Sequence, residues 1–228
     1  MENIKITFVS LNFDIIKIVN EIFPTKMYSN IEPMYGNIST SLPHDCIVSP
    51  ANSFGYMDRG IDKTLSYILM KNYDENYISS KVREVINEKY SGEQPVGTCI
   101  LIPTENPRFP FLAHAPTMTV PTNSVRTLNP YYAFKAVLES VKSYNSKNSI
   151  PITSILTTTF CTGCGEMSLK NSLVQMKKAY DIVCNPIAPT WSDAHNHNTE
   201  LRKIKNMGYC PRVNEDPDFK YIDLSLNQ

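Results

Sequence analysis

Apolar positions along the chain change period several times, and each change marks an element. Lys5 to Val9 is a β-prone run that reads as a strand, after which Ile15, Ile18, Val19 and Ile22 recur at helical spacing and predict a helix from about Asn12 to Ile22. Cys46 to Ser49 reads as a short strand. A helix from about Ile61 follows, with Leu65, Ile68 and Leu69 on one face, and Tyr77 to Tyr90 is a second helix with Val82, Val85 and Ile86 as its apolar side. Gly97 to Ile102 and Phe111 to Ala115 read as strands separated by the turn-rich PTENPRFP. Asn129 is placed to cap a helix with Pro130 in its first turn, running to about Tyr144. Ile152 to Thr158 is β-branched and strand-like, and Ser168 to about Cys184 is the last helix with a clear pattern. Strand and helix alternate throughout, so the expected fold is α/β with helices flanking a mixed, largely parallel sheet. Residues 186–228 show no periodicity and read as an extended tail packed over a main domain of residues 1–185, with Trp191 as its anchor.

Composition narrows the class. With 228 residues, 42% of them hydrophobic, the chain can bury one sizeable core. Lys plus Arg equals Asp plus Glu at 22 each, so no net field draws it to nucleic acid or to a membrane surface. The amino terminus lacks the long apolar stretch and small-residue cleavage site of a secretory signal, and no segment approaches the length of a membrane span. Six scattered cysteines, mostly within apolar runs, fit reduced thiols and hence a cytoplasmic or otherwise intracellular protein.

In α/β folds ligands sit beyond the carboxyl ends of the strands, where loops lead into helices whose amides point outward. Two stretches have that placement: IVSPANSFGYMDRGID, residues 47–62, and FCTGCGEMS, residues 160–168. Glycines at 60, 163 and 165 let backbone N–H groups approach an anion without a Cβ in the way, and two such loops facing each other could hold a diphosphate. No G-x-x-x-x-G-K-[ST] is present, and GCGEMS only approximates the dinucleotide fingerprint, with Asp181 inside a helical pattern where a ribose ligand would have to be.

SPANSFGYMDRGID resembles the first ligand loop of macro domains, a family that binds ADP-ribose, in the branch that writes the motif as S-P-A-N-S-F-G. YGNIST at residues 35–40, AHAPTMTVP at 113–121 and TTTFCTGCGEMSLKNSLVQMKKAY are similar to its other motifs, in the right order. The resemblance covers about residues 30–185 and implies a three-layer α/β/α sandwich. It further implies that Asn37 and Ile38 meet the adenine and that Ala51 and Asn52 meet the distal ribose. Arg59, Gly60 and Ile61 then lie on one side of the phosphates, with Thr162, Gly163, Cys164, Gly165 and Glu166 on the other. The implied function is binding of ADP-ribose or a close derivative, with hydrolysis of a phosphate or of an ADP-ribosyl linkage in which Asn52, Asp58 and Asp62 are the candidate catalytic residues; a non-catalytic reader is the alternative. No cofactor or metal is expected.

Departures from the family pattern concern individual residues. Asn37 stands where aspartate is usual and so offers the adenine an uncharged acceptor. Arg59 replaces a glycine and either crowds the phosphate loop or adds a charged clamp to it. Ser66 occupies the place of a histidine found in deacylating relatives, and the second loop has no aromatic between its glycines. His114, in an apolar run, reads either as a general acid or as a hydrogen-bonded core residue. Cys161 and Cys164 form a lone CxxC which, with His195 and His197, is a poor match to a zinc site.

Overall fold

A computed structural model describes residues 3–187 and 190–207. Six strands form one sheet: β1 (Lys5–Ser10), β2 (Ile31–Tyr35), β3 (Cys46–Ser49), β4 (Ile100–Pro103), β5 (Phe111–His114) and β6 (Ser154–Thr157). Their spatial order is β2-β1-β6-β3-β5-β4, parallel throughout except for the antiparallel β4 at one edge. Central strands covered on both faces are buried at every position: Cys46, Ile47 and Val48 are apolar and fully buried, and the small Ser49 at the strand's end is fully buried too.

The helices are α1 (Asp14–Ile22), α2 (Gly60–Ile68), α3 (Tyr77–Tyr90), α4 (Asn129–Asn145), α5 (Leu169–Cys184) and α6 (Trp191–Lys205). The connection from β1 to β2 and that from β5 to β6 run one way along the sheet, while that from β3 to β5 runs the other. Right-handed crossovers therefore put α1 and α4 on one face and α2 and α3 on the opposite face. The two core clusters follow this division. Phe8, Val19, Phe134, Phe160 and Met176 fill the side of α1, α4 and α5, whereas Ile47, Leu65, Val82, Ile86 and Leu112 fill the side of α2 and α3. The expected three-layer α/β/α sandwich with a mixed, largely parallel sheet is the architecture found.

Three features differ from the sequence reading. Strand β2 escapes it because Glu32 and Pro33 interrupt the apolar pattern. The strand lies at the sheet edge, where a residue without an N–H is tolerated, and Glu32 accepts from Thr7 Oγ1 at 2.9 Å and pairs with Lys5 at 2.8 Å. Asn129 is already helical; its Nδ2 donates to Thr117 O at 2.7 Å, and Thr127 Oγ1 accepts from the Asn129 N–H.

Residues 191–205, expected to be extended, form α6. Its surface is polar almost all round, with Leu201 its one buried residue, so no periodic apolar stripe announces it. Thr190 caps it by accepting from the Asp193 N–H at 3.2 Å. Trp191 is 86% exposed and anchors nothing; Leu201 and a hydrogen bond between Tyr131 Oη and His197 Nε2, 3.1 Å apart, hold the helix to the domain instead. Residues 208–228, including Cys210, lie outside the described residues. No described helix is long and apolar enough to cross a membrane.

Candidate functional site

Chain order reverses direction around β6, which lies between β1 and β3, and loops at the carboxyl ends of these strands enclose a cavity of about 730 Å³. Clefts of roughly 300–1,000 Å³ are ordinary for small-molecule sites. One end is formed by Val9, Ser10 and Leu11 after β1 with Gly36, Asn37 and Ile38 after β2; the other by Ala51, Asn52, Phe54 and Tyr56 after β3 with Thr117 and Met118 after β5. The loop that follows β6 lies between them, and the start of α2 completes the lining.

The first loop is built from Asn52. Beyond Ser49 the ladder with β5 continues through the Ala51 N–H to Ala115 O at 3.1 Å and the Thr117 N–H to Ala51 O at 2.9 Å, and Asn52 bridges Met118. The Asn52 Oδ1 accepts from the N–H groups of Phe54 (3.1 Å) and Tyr56 (3.3 Å), and its Nδ2 donates to Tyr56 O at 2.7 Å. An asparagine used this way makes a turn from its own side chain. Gly55 is required inside that turn, because with φ at +71° a Cβ there would stand 2.8 Å from Val82 Cγ1.

Helix α2 then starts at Gly60 without a side-chain cap. The N–H groups of its first turn therefore remain open, at the positive end of the helix dipole. Asp62 lies in that turn, but its carboxylate does not cap the helix: Oδ1 accepts from Ser49 Oγ at 2.6 Å, and the residue is only 8% exposed. Burial, with the charge of Asp58 adding to it and the Ser49 hydrogen bond opposing it, raises the Asp62 carboxyl to about 6. Asp58 itself is exposed at the cavity.

The second loop is held from within and from the side. The Met167 N–H donates to Cys161 O at 2.9 Å and the Ser124 N–H to Gly165 O at 2.9 Å, while Ser172 Oγ donates to Phe160 O at 2.7 Å. None of the N–H groups from Thr162 to Gly165 has an acceptor among the described residues. With the first turn of α2 they line the cavity, an arrangement suited to an anion such as a diphosphate. Arg59, exposed beside them, is the one lysine or arginine among the lining residues.

Of the residues singled out from the sequence, Asn37, Ile38, Ala51, Asn52, Asp58, Arg59, Gly60, Ile61, Asp62, Thr162, Gly163, Cys164 and Gly165 all line this one cavity. Glu166 does not; it turns aside with φ at +55° and accepts from Asn123 Nδ2 at 2.7 Å. The Asn37 Oδ1 already accepts from the Ser39 N–H at 3.0 Å, capping a 3₁₀ turn over Ile38–Thr40. His114 is fully buried, with Nδ1 2.8 Å from Gln94 Oε1, and burial depresses it to about 3, so it is a neutral core residue outside the cavity and not a general acid. Burial pushes the Cys161 thiol up to about 11, which keeps it protonated and unreactive at neutral pH. No group of three or more His, Cys, Asp or Glu side chains among the described residues could hold a metal.

Sequence reasoning passed over three contributors. Ser49 reads as the last residue of a strand, and its pairing with Asp62 thirteen residues on becomes visible only when α2 folds over β3. Phe54 and Tyr56 stand within the first motif, but only the Asn52 turn shows that they reach the cavity.

Neither a protein-family model nor a curated protein matches the chain by sequence. Solved structures match it by shape. The macrodomain of Mycobacterium tuberculosis DarG aligns with a TM-score of 0.52 at 14% identity, covering 66% of this chain and 89% of that one. A mutant of the Oceanobacillus iheyensis macrodomain with ADPR aligns at 0.51 and 15%, covering 74% and 90%. The Oceanobacillus iheyensis macrodomain with ADP aligns at 0.51 and 15%, covering 74% and 88%.

Proposed function

We propose that this chain, which has the macrodomain fold, binds ADP-ribose or a close derivative in the cavity at the carboxyl edge of its sheet and hydrolyses a phosphate or an ADP-ribosyl linkage there. The observation that carries the reading is that two loops with open backbone N–H groups, residues 59–62 and 162–165, line one cavity of about 730 Å³. Similarly folded macrodomains with ADPR and with ADP support the choice of ligand.

Asp62 supports the hydrolytic part. A carboxylate titrating near 6 is mostly ionised at neutral pH and still basic enough to take a proton, which is the tuning a general base needs. In this reading Asp62 accepts the proton of a water molecule as its oxygen attacks the anomeric carbon or the terminal phosphorus. The leaving group departs with the bonding electron pair. Asp58, close enough to raise the Asp62 carboxyl, keeps the local field negative.

A second reading, a binding module without turnover, is favoured by Asn52, whose amide is occupied at both ends by its own loop. Calorimetric titration with ADP-ribose, followed by assays on ADP-ribose phosphate and on ester-linked ADP-ribose, separates the two. Saturable binding with turnover supports the hydrolase, and binding without turnover the module. A folded protein that binds no ADP-ribose would refute both. Asn52→Ala, which releases three hydrogen bonds of the first loop, is expected to weaken binding by about 10-fold or more.

A further inference from the structure

The second loop brings no aromatic ring to the cavity; the two rings that line it, Phe54 and Tyr56, both come from the first loop. Their position has a direction. Val9–Leu11 and Gly36–Ile38 follow β1 and β2 on one side of β6, and Asn52, Tyr56 and Met118 follow β3 and β5 on the other, so a ligand whose diphosphate is held by the loop after β6 extends one end toward each.

Tyr56 is held unusually firmly for a side chain that is 55% exposed. Both its backbone groups are bonded to the Asn52 amide, at 3.3 Å from N and 2.7 Å from O. The preceding Gly55 is pressed against α3, with Val82 and Ile86 within 3.0 Å of where a Cβ would be. The Arg83 guanidinium stands 5.5 Å from the ring centroid, a cation–π contact made from the same helix. A ring fixed before the ligand arrives loses little freedom on binding, and its apolar face suits the C–H face of a sugar.

We propose that Tyr56 is the surface on which the sugar beyond the diphosphate packs, and is thereby the residue that makes the cavity prefer a diphosphate-linked sugar to a bare nucleoside diphosphate. This rests on the reading of the cavity as an ADP-ribose site. Arg83 acts through Tyr56 as a positioning residue.

The test is calorimetry of the wild-type protein, Tyr56→Ala, Tyr56→Phe and Arg83→Ala with both ADP-ribose and ADP. Tyr56→Ala should weaken ADP-ribose by about 10-fold and ADP by less than about 2-fold; Tyr56→Phe should match the wild type with both. Arg83→Ala, which leaves the ring in place but unsupported, should fall between wild type and Tyr56→Ala with ADP-ribose alone. Equal weakening of both ligands by Tyr56→Ala, or no weakening of either, would overturn the role of Tyr56 while leaving the cavity as the ADP-ribose site. A wild-type protein that binds neither ligand would overturn the site itself.

Discussion

Gly165→Ala is expected to weaken ADP-ribose binding by about 10-fold while Gly163→Ala, two residues away, changes it by no more than about 2-fold. The difference lies in what a methyl group meets. At Gly165 a Cβ would fall 2.5 Å from the carbonyl oxygen of Cys161 and 2.8 Å from its Cβ, closer than atoms can approach, and the obstacle is backbone that cannot swing away. At Gly163 a Cβ meets nothing within 4 Å. The Cys161 carbonyl that would have to move accepts from the Met167 N–H, and the Gly165 carbonyl accepts from the Ser124 N–H, so the strain spreads through the bonds that shape the loop. Overpacking of this kind typically costs about 1–3 kcal/mol. Part of it should appear as a lower melting temperature. The rest should appear as amides from Thr162 to Gly165 that no longer converge on one point. Calorimetry with ADP-ribose and a thermal melt on both variants read the two components. Equal affinities for Gly163→Ala and Gly165→Ala would mean that the loop amides do not hold the ligand.

The contrast between these two glycines also shows how far the sequence could be read. Glycines at 60, 163 and 165 mark both loops as places where backbone must come close to something, and the resemblance of residues 49–62 to a macro-domain ligand loop implies that Asn52 and Asp62 share one site. These are local signals, carried by residue types with few alternative uses. Which glycine has open space beside it and which is pressed against the protein depends on contacts with Cys161, and these exist only once the loop has closed. Ser49 was silent for the same reason. Its partner lies across a strand-to-helix connection, and a serine at the end of a strand has many commoner explanations.

The fold divides in the same way. Helix α3 was legible to its end residues because Val82, Val85 and Ile86 repeat on one face, and β3 because an apolar run between turn residues has little else to be. Strand β2 and helix α6 lie at the margins of the molecule, where half-buried or polar surfaces remove the periodic signal. Trp191 misled because a large aromatic is usually buried, and here it begins a helix that meets the domain through a residue ten positions later.

Asp62→Asn is expected to make the protein more stable at neutral pH and, on the proposed mechanism, to slow turnover severely. Burial raises the folded-state carboxyl from 3.8 to about 6, so as pH rises the unfolded chain releases its proton first. The stability that the protonated group allows is fully present below about pH 4, is lost as pH rises from there through about 6, and stays low above it. A shift of that size corresponds to about 3 kcal/mol. Asparagine does not titrate and still offers Ser49 an oxygen, though without charge assistance, so a net gain of about 1–2 kcal/mol at pH 7 is expected, with a flat profile between pH 4 and 6. Denaturant midpoints measured from pH 4 to 8 on both proteins would reveal it, and parallel profiles would show that the Asp62 carboxyl titrates normally. Asp58→Asn, which removes the neighbouring charge, should move the wild-type transition to lower pH without erasing it. Turnover should fall by about 10²- to 10⁴-fold in Asp62→Asn, the range for a lost general base, while ADP-ribose affinity changes little. A buried carboxylate that makes the fold less stable at working pH is hard to account for by packing, since an uncharged residue of the same shape would serve better. A charge held there by Ser49 on one side and open to the cavity on the other is accounted for if the cavity uses it, in line with the general opposition between stability and activity at reactive sites.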